Sequence, residues 1–298
     1  MTTPAPAAAA QPSADPSPAQ PSHVLELTGE WTPPSRLLRD LAGHLDLLWL
    51  LGKQDFNSRY RSASLGLLWS VFLPLLQGVV IAVVFSHLVG GGNVSVYVPY
   101  VITGITAWSY LQQSVSTGAT SIVDAGAIAG KIYFPRLILP AIAASANLPG
   151  LVISLVIAWV VALGSGAGLH WTLVVIPGAV ALAWLLAVLV SAVASLAHVY
   201  SRDIRYVVQA GLLVLFYATP VIYFLTATGA VRALPAGFRP LVVANPATGV
   251  VQLTRFALTG HADLLGPALL STTAWLVGLA AIAVLAYSRF ERVACDRL

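Results

Sequence analysis

Long apolar stretches, separated by short polar or glycine-rich joints, dominate the chain. Six of them reach the about 20 residues that a helix needs to cross the hydrocarbon of a bilayer. They lie at residues 67–89, 97–118, 137–163, 172–198, 207–226 and 266–288, and their interiors contain no Asp, Glu, Lys or Arg. Glycine and proline mark the joints at 90–92, 164–168, 219–220 and Gly229. Residues 139–163 and 173–196 are too long and too continuously apolar for strands, so the pattern predicts helices. Pro220 sits inside the fifth stretch, where it kinks or stops the helix.

The segment before the first span has a different rhythm. Leu38, Leu41, Leu45, Leu48 and Trp49 recur at helical spacing, while Arg36, Arg39, Asp40 and Asp46 lie mostly on other faces. Residues 35–66 therefore read as an amphipathic helix in the interfacial layer, either a membrane-resting anchor or a cytoplasmic collar around a path. Residues 1–22 hold six Pro and seven Ala and no Lys or Arg, and the apolar run at 7–10 is too short for a secretory signal. Proline opposes helix propagation, so residues 1–34 are expected to form a disordered cytoplasmic tail. The domain layout is thus a tail (1–34), an interface segment (35–66) and a six-span transmembrane domain (67–298). Residues 227–265 are too long for a tight turn and partly apolar, which predicts short helices dipping back into the outer leaflet and broken at Asn245-Pro246.

Composition agrees. Of 298 residues, 58% are hydrophobic and 9% charged, with a mean hydropathy of +0.84. A soluble domain carries about 25% charged residues, so this chain is an all-α integral membrane protein. Charge placement sets its orientation. With six spans, one side carries twelve of the fifteen basic residues, and the other has only Arg232, Arg239 and Arg255. The excess of Lys and Arg on the side of both termini puts them in the cytoplasm of a multi-pass inner-membrane protein.

Several chemistries lack their residues. The single cysteine, Cys295, cannot form an intrachain disulfide, and the six histidines are scattered at 23, 44, 87, 170, 198 and 261. Asp124, Asp203 and Asp263 fall in separate loops, so no convergent acid–base set or metal site is expected. The nearest approach to a phosphate loop, residues 126–131, has one residue too few between its glycines, and Ile132 follows where a Ser or Thr would hold magnesium. Without ionisable residues inside the spans, ion-coupled transport lacks a relay. Any uphill transport must draw its energy from another polypeptide. The basic residues lie at membrane edges, which argues against nucleic-acid binding.

Five stretches occur in an order that resembles one membrane-protein family. They are Arg59-Tyr60-Arg61-x-Ser-x-Leu65-Gly66-x-x-Trp69-x-x-x-x-Pro74, Lys131-Ile132-Tyr133-Phe134-Pro135-Arg136-x-x-x-Pro140, Tyr200-Ser201-Arg202-Asp203-Ile204, Thr219-Pro220-Val221-Ile222-Tyr223, and Asn245-Pro246 followed by Arg255. Together, over about residues 35–290, the chain resembles the type-2 ABC exporter permeases for lipid-linked polysaccharides and polyol phosphates such as O-antigen, teichoic acid and galactan. One departure is Leu137, where members often carry an acidic residue.

The resemblance implies a permease subunit that is not itself an enzyme, with ATP and Mg held by a separate ABC ATPase. The loop at about 120–136 would be a coupling helix seated on that ATPase. Asp124, Lys131 and Arg136 would make polar contacts there, Tyr133 and Phe134 would serve as apolar anchors, and Pro135 would end the helix. The alternative reading makes these residues topology signals and interfacial aromatics. Arg59 and Arg61 would meet the head of a polyprenyl-pyrophosphate-linked glycan, or else snorkel to anionic membrane lipids. Candidate channel-lining aromatics are Trp69, Phe72, Tyr97, Tyr100, Trp108, Tyr110, Phe216, Tyr217 and Tyr223, with Asn245, Pro246 and Arg255 at an outer gate. Six packed helices leave little room for a hydrated glycan, so the expected assembly is a homodimer with two ATPase copies. Two rivals remain: a small-molecule or drug exporter permease, and a polyprenol-dependent membrane enzyme.

Overall fold

The computed structural model describes residues 45–60, 68–88, 94–125, 136–166, 168, 170–225 and 235–290, and every element among them is helical. In chain order these are α1 (Leu45–Tyr60), α2 (Leu68–Leu88), α3 (Val94–Asp124), α4 (Ile138–Ala146) and α5 (Leu148–Gly164). A 3-10 turn, Trp171–Val175, opens α6 (Ile176–Tyr200). Then follow α7 (Ile204–Ala218), a short turn Ala236–Phe238, α8 (Arg239–Val243), α9 (Pro246–Thr259) and α10 (Leu265–Phe290).

Five membrane crossings emerge among the described residues: α2, α3, α4 with α5, the 3-10 turn with α6, and α10. They coincide with five of the six expected spans. The fifth expected span, 207–226, is not a full crossing helix. Here α7 has 15 residues, about 22 Å at 1.5 Å per residue, whereas the hydrocarbon is about 30 Å thick. Pro220 stops this helix instead of kinking it. Its ring forces the preceding residue out of helical geometry, and Thr219 is extended at φ −98, ψ 139.

Two other boundaries differ from the periodicity for local reasons. Helix α3 runs past residue 118 to Asp124, and there its polar side chains are satisfied by groups of their own helix. Thr117 donates to the Gln113 carbonyl (2.9 Å), Ser121 to the Gly118 carbonyl (2.8 Å) and Thr120 to the Asp124 carboxylate (2.6 Å). The third crossing is interrupted at Asn147, between α4 and α5. Pro149 lacks an amide hydrogen, and the Asn147 side chain supplies donors locally: its Nδ2 bonds the Ala143 carbonyl (3.1 Å) and Ser114 Oγ on α3 (3.2 Å).

Helix α3 is the axis of the bundle. It packs against α2, α4, α5, α6, α7 and α9, and 72% of its apolar window is buried, against 17% for α2. Small residues allow this. A Cβ on Gly118 would collide with Ser191 Oγ and stand 2.5 Å from Ser191 Cβ on α6, and one on Gly78 would meet Ile102 Cδ1 at 2.8 Å. In lipid, such close backbone approach takes over much of the work that hydrophobic burial does in water. The outward faces of α2 (Leu73, Leu76, Val80, Val84) and α10 (Leu270, Val277) are exposed and apolar, as lipid contact requires.

A smaller core of Ile122, Ile138, Leu139, Ile142, Leu196 and Tyr287 closes the end of the bundle where α3, α6 and α10 finish and α4 begins. There Ser195 and Tyr287 share a hydrogen bond of 3.1 Å. Helix α1 packs on α4, with Gly52 opposite Ser145.

Gly118→Val is expected to lower the detergent-solubilised melting midpoint, at a cost of about 1–3 kcal/mol from overpacking. Gly178→Ala, where an added methyl meets nothing within 4 Å, should change stability by less than about 0.5 kcal/mol. Thermal-shift size-exclusion chromatography on both variants checks the contrast.

Candidate functional site

Beyond Ala218 the chain stays non-helical to Leu225, which leaves a run of backbone groups without helical partners. In a bilayer such groups must be satisfied by protein, at several kcal/mol each if they are not. Side chains from α3 and α9 and the loop after α9 supply the partners. Arg255 Nη2 donates to the Pro220 carbonyl (3.0 Å), Tyr97 Oη to the Ile222 carbonyl and Tyr100 Oη to the Tyr223 carbonyl (2.7 Å). The Leu225 amide donates to Asp263 Oδ2 (3.2 Å), and Asn245 Nδ2 donates to Thr219 Oγ1 (2.9 Å).

Arg255 is the centre of this arrangement. Only 3% of it is exposed. Its Nη1 donates to Gln252 Oε1 (3.0 Å), and its Nη2 also reaches the Tyr100 carbonyl (3.1 Å). The guanidinium carbon stands 3.4 Å from the centre of the Tyr100 ring, and Phe224 stacks on that ring at 3.9 Å, so the tyrosine lies between cation and aromatic. Gly104 makes room: a Cβ there would come within 3.0 Å of Arg255 Nη2 and 3.2 Å of Val221 Cα.

Local chemistry aims α9 at this point. Asn245 caps the helix by accepting from the Ala247 amide (3.0 Å), Pro246 occupies its first turn, and Gly260 ends it at φ +72. Gly249 lets α9 approach α10 so closely that a Cβ would strike Thr272 Oγ1. The expected outer-gate residues Asn245, Pro246 and Arg255 are therefore brought together with the broken segment. Asn245 and Arg255 bond it directly, and Pro246 opens the helix that carries Arg255.

The expected channel aromatics separate into two groups. Tyr97, Tyr100, Trp108, Tyr110 and Phe216 are buried inside a single chain. The four with polar tips bond protein groups, as when Tyr110 reaches the Ala144 carbonyl (3.2 Å) and Trp108 reaches Gln112 Oε1 (2.9 Å). These five form the interior of the bundle, and Tyr100 also lines a cavity beside Arg255 and Asp263. Tyr223 is half-buried, whereas Trp69, Phe72 and Tyr217 are exposed.

At the other end, Asp124 is exposed at the tip of α3, while the Arg136 side chain is buried at the start of the third crossing, so it offers no free tip for a partner. Lys131, Tyr133, Phe134, Pro135 and Arg61 lie outside the described residues, as do residues 1–44. The backbone of Arg59 belongs to α1, and its side chain lies outside the described residues. Sequence reasoning missed Gln252 and Asn147 and gave Thr219 no role beyond its motif, because their amide and hydroxyl groups gain meaning only from partners distant in the chain or from a break in the helix. It also took Asp263 for a solitary loop carboxylate.

The sequence profile of the ABC-2 type transporter family matches residues 46–258. The chain belongs to that family. It is thus an integral membrane subunit of a transporter and not an enzyme. Among curated relatives, an O-antigen export system permease protein, RfbA, of Myxococcus xanthus is 29% identical over 209 residues, covering 70% of this chain and 80% of that protein. A protein of the same name from Klebsiella pneumoniae is 26% identical over 211 residues, covering 69% of this chain and 77% of its own length. A second Klebsiella pneumoniae permease of that name is 26% identical over 213 residues.

Replacing Arg255 with Met keeps the bulk but strands the Pro220 and Gln252 acceptors. The expected cost is about 2–4 kcal/mol, read as a lower melting midpoint of the purified protein. Asn245→Ala should cost about 1 kcal/mol through loss of the cap.

Proposed function

We propose that this protein is the transmembrane subunit of an ATP-driven exporter that moves a lipid-linked polysaccharide from the cytoplasm across the inner membrane. The observation that carries this reading is the similarity to O-antigen export permeases along about 70% of the chain. The described spans support it, because none holds an Asp, Glu, Lys or Arg between its ends. The described spans thus carry no acidic or basic relay, which fits work supplied by an ABC ATPase that binds ATP and Mg.

In this reading both termini are cytoplasmic, in keeping with the basic residues at that face. Helix α1 belongs to an amphipathic element at the interface. The sixth segment of the bundle is α7 with its non-helical continuation, and α8 and α9 form the re-entrant part between it and α10. Cover for its stranded backbone groups comes from Arg255, Tyr97, Tyr100 and Asp263.

The loop between Asp124 and Arg136 is the coupling element. Asp124 offers an exposed carboxylate to the ATPase, and Lys131, Tyr133 and Phe134 supply the remaining contacts, with Pro135 ending the element. Buried Arg136 positions the loop at the start of α4 and acts through it. Arg59 and Arg61 hold the anionic head of a polyprenyl-pyrophosphate-linked glycan by paired charge-assisted hydrogen bonds. The glycan passes between two copies of the permease, served by two ATPases. Exposed Trp69, Phe72 and Tyr217, with half-buried Tyr223, are the aromatic residues best placed to line that path. Closure of the ATPases on ATP would then tilt the crossings as rigid bodies.

Depletion of the permease should make lipid-linked polymer accumulate at the cytoplasmic leaflet, measured by extraction and by protection from an external glycosidase. Wild-type surface glycan in depleted cells would remove the export assignment. With insertion and ATPase assembly verified, Arg59→Gln with Arg61→Gln should lower export about tenfold or more, the loss of two charged hydrogen bonds at about 1.5–3 kcal/mol each. Unchanged export would leave these arginines only a topological role.

A further inference from the structure

A cavity of about 500 Å³ opens beside the Arg255 cluster, between the start of α3 and the loops that follow α5 and α9. Its size falls within the range of small-molecule sites, about 300–1,000 Å³. Nothing in the role of the Arg255 cluster as support for the broken segment requires an open cavity here.

The chemistry of the lining is mixed in a specific way. It holds one guanidinium (Arg255), one carboxylate (Asp263), two imidazoles (His170 and His261) and the hydroxyls of Thr259 and Ser165. The imidazoles stand edge to face, with ring centres 6.3 Å apart. His261 uses Nδ1 at the Thr259 carbonyl (3.0 Å). Arg255, 97% buried, keeps an Nε–H with no acceptor. Val96 and Pro99 supply an apolar wall.

Charge decides the ligand class. An anion placed here would meet the Asp263 carboxylate, and a cation would meet Arg255, so neither gains a net field. A neutral polyhydroxyl compound suits both, since each hydroxyl donates one hydrogen bond and accepts others. The apolar wall matches the C–H face of a sugar ring. We infer that this cavity is a saccharide subsite, built from Asp263, His170, His261 and Arg255 between the start of α3 and the loops after α5 and α9.

The inference rests on the export reading for its topology, which puts these loops on the outer face, where the glycan emerges. There the subsite holds a sugar residue of the departing chain and hinders its slippage back between power strokes. A saccharide already outside the cell has the same chemistry, and the test separates the two sources.

The permease–ATPase complex, purified in nanodiscs, is examined by saturation-transfer NMR with methyl galactoside, methyl mannoside and methyl rhamnoside, and with inorganic phosphate in a ³¹P channel. At least one glycoside should show transfer. Two variants should weaken it. His261→Ala removes one exposed hydrogen-bonding group, and the signal should fall about three- to tenfold. Gly168→Trp fills the cavity from a loop position where an added Cβ meets nothing within 4 Å, and should abolish transfer with ATPase activity unchanged.

Export is then measured in cells carrying Gly168→Trp. Reduced export, or shorter surface chains, assigns the subsite to the departing glycan; normal export with lost transfer assigns it to external saccharide and overturns the part given to the chain. No transfer from the purified wild-type complex to any glycoside, with export normal in cells carrying the same protein, would overturn the subsite while leaving the permease reading intact. Binding of phosphate but not of glycosides would also overturn it. Normal surface glycan after depletion would sink the export reading instead, with the NMR result standing by itself.

Discussion

A bilayer offers no hydrogen bonds, so wherever this chain leaves the helix its own side chains must complete the backbone. That constraint organises the molecule. At residues 219–225 the stranded carbonyls of Pro220, Ile222 and Tyr223 are met by Arg255, Tyr97 and Tyr100. At Asn147 the interruption is met by the residue's own amide group. Buried polar groups that would be costly in isolation therefore occur where irregular backbone needs them, or bond back to their own helix as Thr103, Thr106 and Ser195 do.

The central position of α3 follows from the same economy. Its first turns lend phenolic hydroxyls to the broken segment, its middle is kept thin by Gly104 and small residues, and its last turns satisfy their own hydroxyls. A helix with these three jobs keeps most of its aromatics in the interior. This explains why the aromatic residues most suggestive in sequence, Tyr97, Tyr100 and Trp108, are interior, while Trp69 and Tyr217 remain on the outside.

Five crossings were legible in the sequence because length and the absence of charge suffice to mark a segment that lipid will accept. The end of the fifth stretch stayed open because hydropathy continues smoothly across Pro220, and only backbone geometry distinguishes a helix from a covered, extended run of the same apolar residues. The break at Asn147 was invisible for a related reason: a single amide side chain inside an apolar run reads as a packing detail until its carbonyl partner is known. Asn245-Pro246 and Arg255 stood out as a motif. Their joint task depended on Gln252, Thr219 and Asp263, which no spacing rule connects. Long-range complementarity of this kind lives in the fold.

The turn at Asn147 also couples two helices. The residue keeps αR geometry at φ −90, ψ −10, and the Leu151 amide bonds its carbonyl at 3.2 Å, so α4 and α5 stay one 27-residue crossing. The same side-chain amide that bonds the Ala143 carbonyl also reaches Ser114 on α3. One buried amide thus both closes a gap within a crossing and pins that crossing to the central helix, so its loss would loosen both at once.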